Sequence, residues 1–282
     1  YLEGLGEFDF IVRTPFLRPD LPAFRNEVSA GVALTSQTKI FFDLCQANII
    51  GVTGTKGKGT TSTLIILMLE AAGKRAFLGG NIGQPPLVFL DETKPGDWVV
   101  LELSSFQLMD LQTSPQIAVV LMVTSEHLDW HTTPAEYYEA KYNLVSHQTN
   151  KDFAVINADY KNSAVFADQT KAEKVWVSLT SEADPGVFVR SEKIWRWFRG
   201  KYEEIISVSQ VRLPGRHNLE NAAAAAAAVS IVGVPATVIR RVLQEFPGLE
   251  HRLELVREWK GRAFYNDSFS TTPETAIAAL RA

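Results

Sequence analysis

One segment, Ile49-Ile50-Gly51-Val52-Thr53-Gly54-Thr55-Lys56-Gly57-Lys58-Gly59-Thr60-Thr61, carries the clearest structural signal in this chain. An apolar run ends in a glycine-rich turn with two lysines, and a helix is predicted just beyond it, over residues 64–72. Strand, glycine loop, lysine and helix form the phosphate-binding arrangement of nucleoside-triphosphate enzymes. Backbone N–H groups, the helix N-terminus and a mobile lysine there converge on phosphate oxygens. The segment therefore predicts a P-loop-type α/β fold, and a flexible strand-to-helix turn is the plainer alternative.

The loop fits the pattern Gly-x-x-x-x-Gly-Lys through Gly51, Gly57 and Lys58, but it departs from that pattern at the next position. A Ser or Thr is expected after the lysine, where its hydroxyl would hold magnesium. Gly59 stands there instead, and two threonines follow directly. The pattern thus predicts triphosphate binding and leaves the metal hydroxyl unassigned.

The chain beyond Asn48 alternates apolar strands with helices, which indicates a mostly parallel sheet with helices on both faces. Residues 186–212 change to a two-residue period and predict a small antiparallel meander. Within it, Trp195 and Trp197 share one face, which we expect to be a core face, with a ligand platform as the alternative. Residues 1–48 contain two short strands, too few for an independent core, and predict a partial Rossmann-like α/β unit.

The composition is that of an ordinary globular protein, with 282 residues, 46% hydrophobic, 21% charged and a net charge of −4. This charge gives no general attraction to nucleic acid or membrane, and no apolar run is long enough to span a bilayer. The single cysteine, Cys45, excludes a disulfide within these residues and fits a cytoplasmic protein. The chain starts without Met and stops inside a predicted helix, so we expect it to be part of a longer protein.

Two side chains at predicted strand ends are candidate metal ligands. Glu102 ends an apolar strand, where a carboxylate beside a phosphate loop suits magnesium, although a solvated acid is the simpler interpretation. His127 ends the next strand and could share the ion. His131 follows four residues later, so zinc has to be considered, but Trp130 and the threonines that cap the next helix disfavour it.

Polar residues further along could contact a nucleotide. Asn218 and Asn221 lie three apart at the start of a helix with seven consecutive alanines, where carboxamides suit a purine edge or cap the helix. Arg252 and Asp267 could reach phosphate and ribose, or pair with each other. Lys141 reads as a solvated helical lysine that no pattern singles out.

Nine segments, taken in order, resemble the Mur ligase family, the ATP-dependent amide-bond ligases of peptidoglycan precursor synthesis. They are Gly54–Thr61, Gly79–Gly83, Leu101–Leu108, Thr124–Asp129, Ala140-Lys141, Asn157–Asp159, Gly215–Asn218 with Asn221, Gly248–Arg252 and Asn266–Ser268. Each motif is weak alone, but this many in one order is highly specific. The second and third segments favour the D-glutamate-adding ligases over the other members.

The resemblance implies roles for individual residues. Those implied for ATP are Gly54, Thr55, Lys56, Gly57, Lys58, Gly59, Thr60, Thr61, Asn218, Asn221, Arg252 and Asp267. Those implied for magnesium are Thr60, Glu102, His127 and Lys141, the last as a carbamate formed with CO₂. Those implied for the nucleotide-sugar substrate are Asn81, Ser104, Ser105 and Gln107. The residues expected to act in catalysis are Lys58, Lys141 and His127.

The implied reaction adds D-glutamate to UDP-N-acetylmuramoyl-L-alanine through an acyl phosphate, with ATP and Mg²⁺, in a cytoplasmic monomer. Family members have three domains. Residues 1–48 would end the UDP-binding domain, 49–265 would form the ATP-binding domain, and 266–282 would begin the amino-acid-binding domain. On this reading, we expect the chain alone to be inactive in ligation.

Two alternatives stay open at this stage. A folylpolyglutamate-synthase-like ligase is suggested by its similar Gly-Lys-Gly-Thr loop, in which Thr60 would be the magnesium hydroxyl. A nucleotide-binding module without ligase activity is suggested by Phe269, which stands where the family usually has Lys.

Overall fold

A computed structural model describes residues 2–127, 129–198, 200–270 and 273–282, with only the backbone of Glu274. Its strands are β1 (Phe10–Arg13), β2 (Ala33–Ser36), β3 (Asn48–Thr53), β4 (Ala76–Gly80), β5 (Trp98–Glu102), β6 (Ile117–Val120), β7 (Phe153–Asn157), β8 (Glu173–Ser178), β9 (Gly186–Arg190), β10 (Lys193–Phe198), β11 (Lys201–Ser207), β12 (Glu254–Trp259) and β13 (Arg262–Asn266). Its α-helices are α1 (Pro22–Ser29), α2 (Gln37–Leu44), α3 (Lys58–Ala71), α4 (Ser105–Leu108), α5 (Pro134–Tyr142), α6 (Lys161–Ala164), α7 (Arg216–Ile231), α8 (Ala236–Glu245) and α9 (Pro273–Leu280). Short 3₁₀ helices lie at Leu5–Glu7, Pro86–Val88, Leu90–Glu92, Val165–Gln169 and Val208–Gln210.

The central element is a nine-stranded sheet in the order β11-β10-β9-β8-β7-β6-β3-β5-β4. Strands β3 to β9 pair in parallel, which confirms the mostly parallel sheet. The meander of β9, β10 and β11 is antiparallel, as predicted, but it extends the same sheet because β9 pairs with β8. The chain moves outward from β3 in both directions, so the crevice beside the carboxyl end of β3 is where a ligand is expected.

Helices cover both faces of this sheet. Helices α3, α7 and α8 lie on one face, and α2 and α5 lie on the other. The seven alanines of α7 are all buried, from 0 to 2% exposed, and they pack against α3 and the sheet. Small side chains without rotamer freedom allow this close helix packing, so the alanine run is a core helix rather than a disordered tract.

The two ends of the chain form smaller units. At the start, β1 and β2 pair in parallel around α1, which matches the predicted partial α/β unit. The buried Arg13 side chain joins this unit to the large one, since it donates to Asp110 and to the Phe106 carbonyl oxygen. Near the other end, β12 and β13 form a separate two-stranded sheet among the described residues and are largely exposed.

The tryptophan stripe of β10 differs from the prediction. Trp195 and Trp197 are half-buried on the outer face, where Trp197 contacts Tyr202. The side chains of Ile194 and Arg196 face the helices instead, and the Arg196 guanidinium donates to Ser230 of α7. The prediction of a core face was therefore wrong, because the core-facing positions of β10 are the alternate ones.

No helix in the described part of the chain combines the length and the apolar character needed to cross a membrane. The domain boundaries predicted after residues 48 and 265 stay predictions.

Candidate nucleotide-binding and active site

A cavity of about 770 Å³ opens at the carboxyl ends of β3, β5 and β6, at the switch in strand order. Many of the predicted site residues line it: Thr55, Lys56, Gly57, Lys58, Gly59, Asn81, Glu102, His127, Asn218, Asn221, Arg252 and Asp267. These residues come from seven separate parts of the chain. The structure thus brings together one site that the sequence could only suggest piece by piece.

The phosphate loop ends in a left-handed glycine. Gly57 has φ of 88°, and helix α3 begins directly after it at Lys58, earlier than the predicted start at residue 64. The Lys58 ammonium donates to the carbonyl oxygens of Gly54, at 3.1 Å, and Thr55, at 3.2 Å. Burial is the main cause that lowers the Lys58 pKa, with Glu102 acting in the opposite direction. A positive helix N-terminus and a lysine therefore share one loop, as anion binding requires.

Thr55 fastens the phosphate loop to the segment after β6. Its amide donates to the Met122 carbonyl oxygen at 2.7 Å, and its hydroxyl donates to the Thr124 carbonyl oxygen at 2.7 Å. The Tyr137 hydroxyl of α5 lies 3.0 Å from the same Thr55 oxygen. These contacts hold the loop in shape before any ligand arrives.

Glu102 is buried at the end of β5, with 4% of its surface exposed, so it is not a solvated acid. Its Oε1 accepts a hydrogen bond from the exposed Asn81 amide at 3.1 Å, and its Oε2 points toward Gly59. Thr60 is 2% exposed and lies outside the cavity lining. The structure therefore sets Gly59, and not Thr60, opposite the carboxylate.

Lys141 is buried, and the expectation of a solvated helical lysine was wrong. Its ammonium donates to the Thr53 hydroxyl and to the Gly54 carbonyl oxygen, both at 3.1 Å, and lies 4.8 Å from the Tyr137 ring centre. Burial, and then the positive charge of Lys58, hold the pKa of Lys141 well below its usual value. Sequence spacing could not reveal this, because the contacts come from β3.

The two histidines have separate environments. His127 is exposed at the cavity edge with φ of 58°, and its Nε2 lies 3.7 Å from Glu126. His131 is buried, and its Nε2 lies 2.9 Å from the Ser105 hydroxyl oxygen. Burial lowers the pKa of His131 to about 4, so its ring is neutral. The described residues hold no group of three or more His, Cys, Asp or Glu side chains placed to share a metal ion.

Asn218 and Asn221 lie on one face of α7, as predicted. The Asn221 side-chain Nδ2 donates to the Asn218 side-chain Oδ1 at 3.3 Å, and the Thr61 hydroxyl donates to the Asn221 Oδ1 at 3.4 Å. Gly215 is the residue that caps the helix, so Asn218 is not a simple N-cap. The Asn218 side-chain Nδ2 instead donates to the Pro214 backbone carbonyl oxygen at 2.7 Å.

Arg252 and Asp267 both line the cavity and have different partners. The Arg252 guanidinium lies over the Phe269 ring, 5.4 Å from its centre. Asp267 accepts from the Leu253 amide at 3.0 Å and from the Ser270 hydroxyl at 2.5 Å. The simple salt bridge considered from the sequence is therefore not the arrangement found.

Three residues predicted for the nucleotide-sugar lie outside the cavity lining. Ser104 caps α4 in a reciprocal arrangement with Gln107, whose side-chain oxygen accepts from the Ser104 amide at 2.9 Å. Ser105 is 1% exposed and bonded to His131. Of this set, the structure brings only Asn81 to the cavity.

Two charged contacts at the cavity were missed in the sequence. Lys56 of the phosphate loop pairs with Glu126 at 2.5 Å. Tyr160 donates to both carboxylate oxygens of Glu220, at 3.0 Å each, and burial raises the pKa of each partner. No spacing pattern joins either pair, since Lys56 and Glu126 lie 70 residues apart and Tyr160 and Glu220 lie 60 apart.

Comparison with known proteins gives the context of this cavity. The Mur ligase middle domain model matches residues 52–229. The UDP-N-acetylmuramoylalanine–D-glutamate ligase of Acetivibrio thermocellus is 44% identical over 282 residues, with 99% of this chain and 60% of that protein covered. The enzyme of the same name from Ruminiclostridium cellulolyticum is 41% identical over 281 residues, with 100% of this chain and 60% of that protein covered. The chain therefore spans about 60% of the length of these curated relatives.

Solved structures share the fold. MurF from Acinetobacter baumannii superposes with a TM-score of 0.69 at 18% identity, covering 96% of this chain and 67% of that one. MurF ligase from Thermotoga maritima, solved in complex with ADP, gives a TM-score of 0.62 at 17% identity, covering 99% and 75%. Because the family model matches most of the chain and relatives above 40% identity follow it from end to end, the chain belongs to the Mur ligase family.

Proposed function

We propose that this chain is the ATP-binding core of a cytoplasmic ligase that joins D-glutamate to UDP-N-acetylmuramoyl-L-alanine. The observation that carries the proposal is the identity of 37–44% along the chain to relatives named for this reaction. The phosphate loop facing Glu102 supports it, since the reaction consumes ATP. The reaction as a whole is proposed for the complete protein, because the chain spans about 60% of those relatives.

The proposed reaction has two steps. The terminal carboxylate of the nucleotide-sugar attacks the γ-phosphorus of ATP, the bond to ADP breaks, and an acyl phosphate forms. The amine of D-glutamate then attacks the acyl carbon, phosphate leaves, and the nitrogen loses a proton. Lys58 and the N-terminus of α3 offset the charge of the approaching anions, and the rigid loop holds the reactants in line. Asn81 is the exposed amide available to the nucleotide-sugar.

The donor set of the site fits magnesium. The Glu102 carboxylate is a buried oxygen donor beside the phosphate loop, the ligand type that Mg²⁺ prefers. We propose that Glu102, His127 and a carbamate on Lys141 hold the ion. Thr60 was the hydroxyl ligand predicted from the sequence, but it is buried outside the cavity lining and is not part of this proposed set. When bound, magnesium would reduce the repulsion between the two anionic reactants.

The proposed carbamate follows from the environment of Lys141. Its lowered pKa leaves a fraction of neutral amine at neutral pH, and only the neutral amine reacts with CO₂. The product is an anion that would replace a buried cation beside Lys58, so the charge balance of the site improves.

Calorimetry with Mg·ATP tests the nucleotide site. We expect Lys58→Ala to weaken binding about tenfold or more, because a charge-assisted contact to phosphate is lost. Lys151→Ala is the control, since Lys151 is exposed and outside the cavity. A folded wild-type chain that binds no ATP would contradict the proposal.

Substrate choice is tested in the complete protein by phosphate release. Release should require both UDP-N-acetylmuramoyl-L-alanine and D-glutamate. Release with a folate and L-glutamate would instead favour the folylpolyglutamate-synthase alternative that the loop at Gly59 suggested. ATP binding without any ligation would favour a nucleotide-binding module.

A further inference from the structure

Arg18, in the segment before α1, forms hydrogen bonds with the turn that follows His127 and with the start of α5. Arg18 donates from Nη1 to the Trp130 carbonyl oxygen at 2.8 Å and to Glu136 at 3.0 Å, and from Nη2 to Glu136 at 2.5 Å. Its Nε and Nη2 also donate to the Asp20 carboxylate, both at 2.8 Å. All five N–H groups of the guanidinium are thus used, which fixes the plane and position of this side chain.

Backbone hydrogen bonds connect the residue that Arg18 contacts, Trp130, to His127. The amides of Trp130 and His131 both donate to the His127 carbonyl oxygen, at 3.1 and 2.9 Å. His127 has φ of 58°, a left-handed conformation that a residue with a β-carbon adopts at an expense of about 1–2 kcal/mol. Contacts around the turn must therefore hold this conformation, and Arg18 bonds the Trp130 carbonyl group on one side of it.

A second link from the same segment supports the turn. The Trp130 indole N–H donates to the Phe16 carbonyl oxygen at 2.7 Å, and Arg18 lies over the Trp130 ring, 5.2 Å from its centre. The Phe106 ring contacts both Phe16 and His127, with ring centres 5.9 and 4.9 Å apart. The N-terminal unit therefore also reaches the imidazole indirectly, through the Phe106 ring.

We propose that Arg18 is a positioning residue for His127, which sets the conformation in which the imidazole faces the cavity. The N-terminal unit is then part of the ligand-binding apparatus of the large unit, although none of its residues from 2 to 48 lines the cavity. The inference rests on the proposed nucleotide and metal site for its effect on ligands, and on geometry alone for its effect on His127.

The contact is stronger than an ordinary surface ion pair. Exposed pairs contribute little, but the side chains of Arg18 and Glu136 are only 17 and 21% exposed and meet in a two-pronged arrangement. Arg18 is the main cause that lowers the pKa of Glu136 to about 2. Glu136 also accepts from the Thr132 amide at 2.6 Å, so the carboxylate ties the guanidinium to the start of α5.

The test uses two measurements on the same variants. The first is the ring Cε1–H signal of His127 in a chain with ¹³C-labelled histidine, assigned by its loss in His127→Gln. The second is the affinity for Mn²⁺ in the presence of ATP, measured by electron paramagnetic resonance. We expect Arg18→Gln to move the His127 signal and to weaken Mn²⁺ binding about tenfold, as loss of an outer support of a metal ligand does.

Three comparisons separate positioning from general destabilisation. Metal-free ATP affinity should stay within about twofold in Arg18→Gln, because the phosphate loop is untouched. Arg25→Gln is the matched control, since Arg25 is 67% exposed and shares the partner Asp20 at 3.5 Å. Arg18→Lys keeps the charge but lacks the planar fork, so we expect it to fall between wild type and Arg18→Gln.

The outcomes distinguish this inference from the proposed function. A wild type that binds Mn²⁺ with ATP, beside an Arg18→Gln variant with an unmoved His127 signal and unchanged affinity, would overturn the inference alone. A wild type that binds no Mn²⁺ with ATP would overturn the proposed site, and the His127 signal would then decide the positioning role by itself. If Arg18→Gln does not fold, Arg18→Lys is measured instead. A His127 signal and a Mn²⁺ affinity in Arg18→Lys that both equal those of wild type would then refute the inference.

Discussion

Gly59 and Glu102 face each other across the first turn of α3. A β-carbon at position 59 would lie 3.3 Å from the Oε2 atom of Glu102 and 3.5 Å from Leu249. A side chain at this position would therefore meet the carboxylate proposed to hold magnesium. Because residue 59 is glycine instead of the usual Ser or Thr, no side chain from this position contacts the Glu102 carboxylate.

We expect Gly59→Ser to strengthen Mn²⁺ binding in the presence of ATP about tenfold, because a hydroxyl beside Glu102 adds one oxygen ligand or hydrogen bond. Gly59→Ala is the control, because it adds the same β-carbon 3.3 Å from the Glu102 Oε2 atom without adding the hydroxyl. Equal metal affinities of the Ser and Ala variants would contradict this role for position 59.

A second prediction concerns the contact between Gly57 and Asn221. Gly57 has φ of 88°, and a β-carbon there would overlap the Asn221 side-chain oxygen. Gly73 has φ of 75° and open space around its β-carbon position, so it is a matched reference. We expect Gly57→Ala to lower the free energy of unfolding, measured in urea, by about 2 kcal/mol more than Gly73→Ala does. The difference is the energy expected for overpacking a buried site. Equal losses would mean that Asn221 does not confine the loop.

A third prediction concerns the buried amine of Lys141. In ¹³C-bicarbonate, the wild-type chain should give a carbamate carbon signal that Lys141→Met lacks and Lys151→Met keeps. The signal should grow as the pH rises, because the neutral amine fraction increases. Its presence in Lys141→Met would assign the carbamate to another lysine, and its absence in wild type would remove Lys141 from the proposed metal ligands.

A fourth prediction concerns acid stability and His131. The pKa of this ring is 6.5 when exposed and about 4 in the fold, so the folded state binds fewer protons than the unfolded state between these values. The contribution of His131 to the free energy of unfolding is fully present above pH 6.5 and decreases as the pH drops toward 4. The loss should reach up to about 3 kcal/mol, since a pKa difference of one is about 1.4 kcal/mol.

Urea unfolding across this pH range measures the effect. His131→Gln should show a shallower fall with decreasing pH, whereas His147→Gln, at an exposed position, should follow wild type. An unchanged slope in His131→Gln would show that the acid sensitivity comes from other groups.

Local patterns were sufficient for the elements around the phosphate loop. An apolar run, a glycine turn and a lysine specify strand, loop and helix through contacts within a dozen residues, so β3 and the loop followed directly from the sequence. The direction in which Trp195 and Trp197 point did not follow, because a two-residue period defines two faces without saying which face the helices cover.

The sequence by itself determined the parallel sheet, the phosphate loop and the family, because each depends on residue order along a short stretch or on many such stretches in sequence. Only the tertiary structure decided which groups face each other. Lys141 of α5 is buried against Thr53 and Gly54 at the end of β3, Gly59 of α3 lies beside Glu102 at the end of β5, and Arg18 reaches Glu136 from the N-terminal unit. Burial and charge at these positions depend on neighbours that are distant along the chain, and the folded packing alone brings them together.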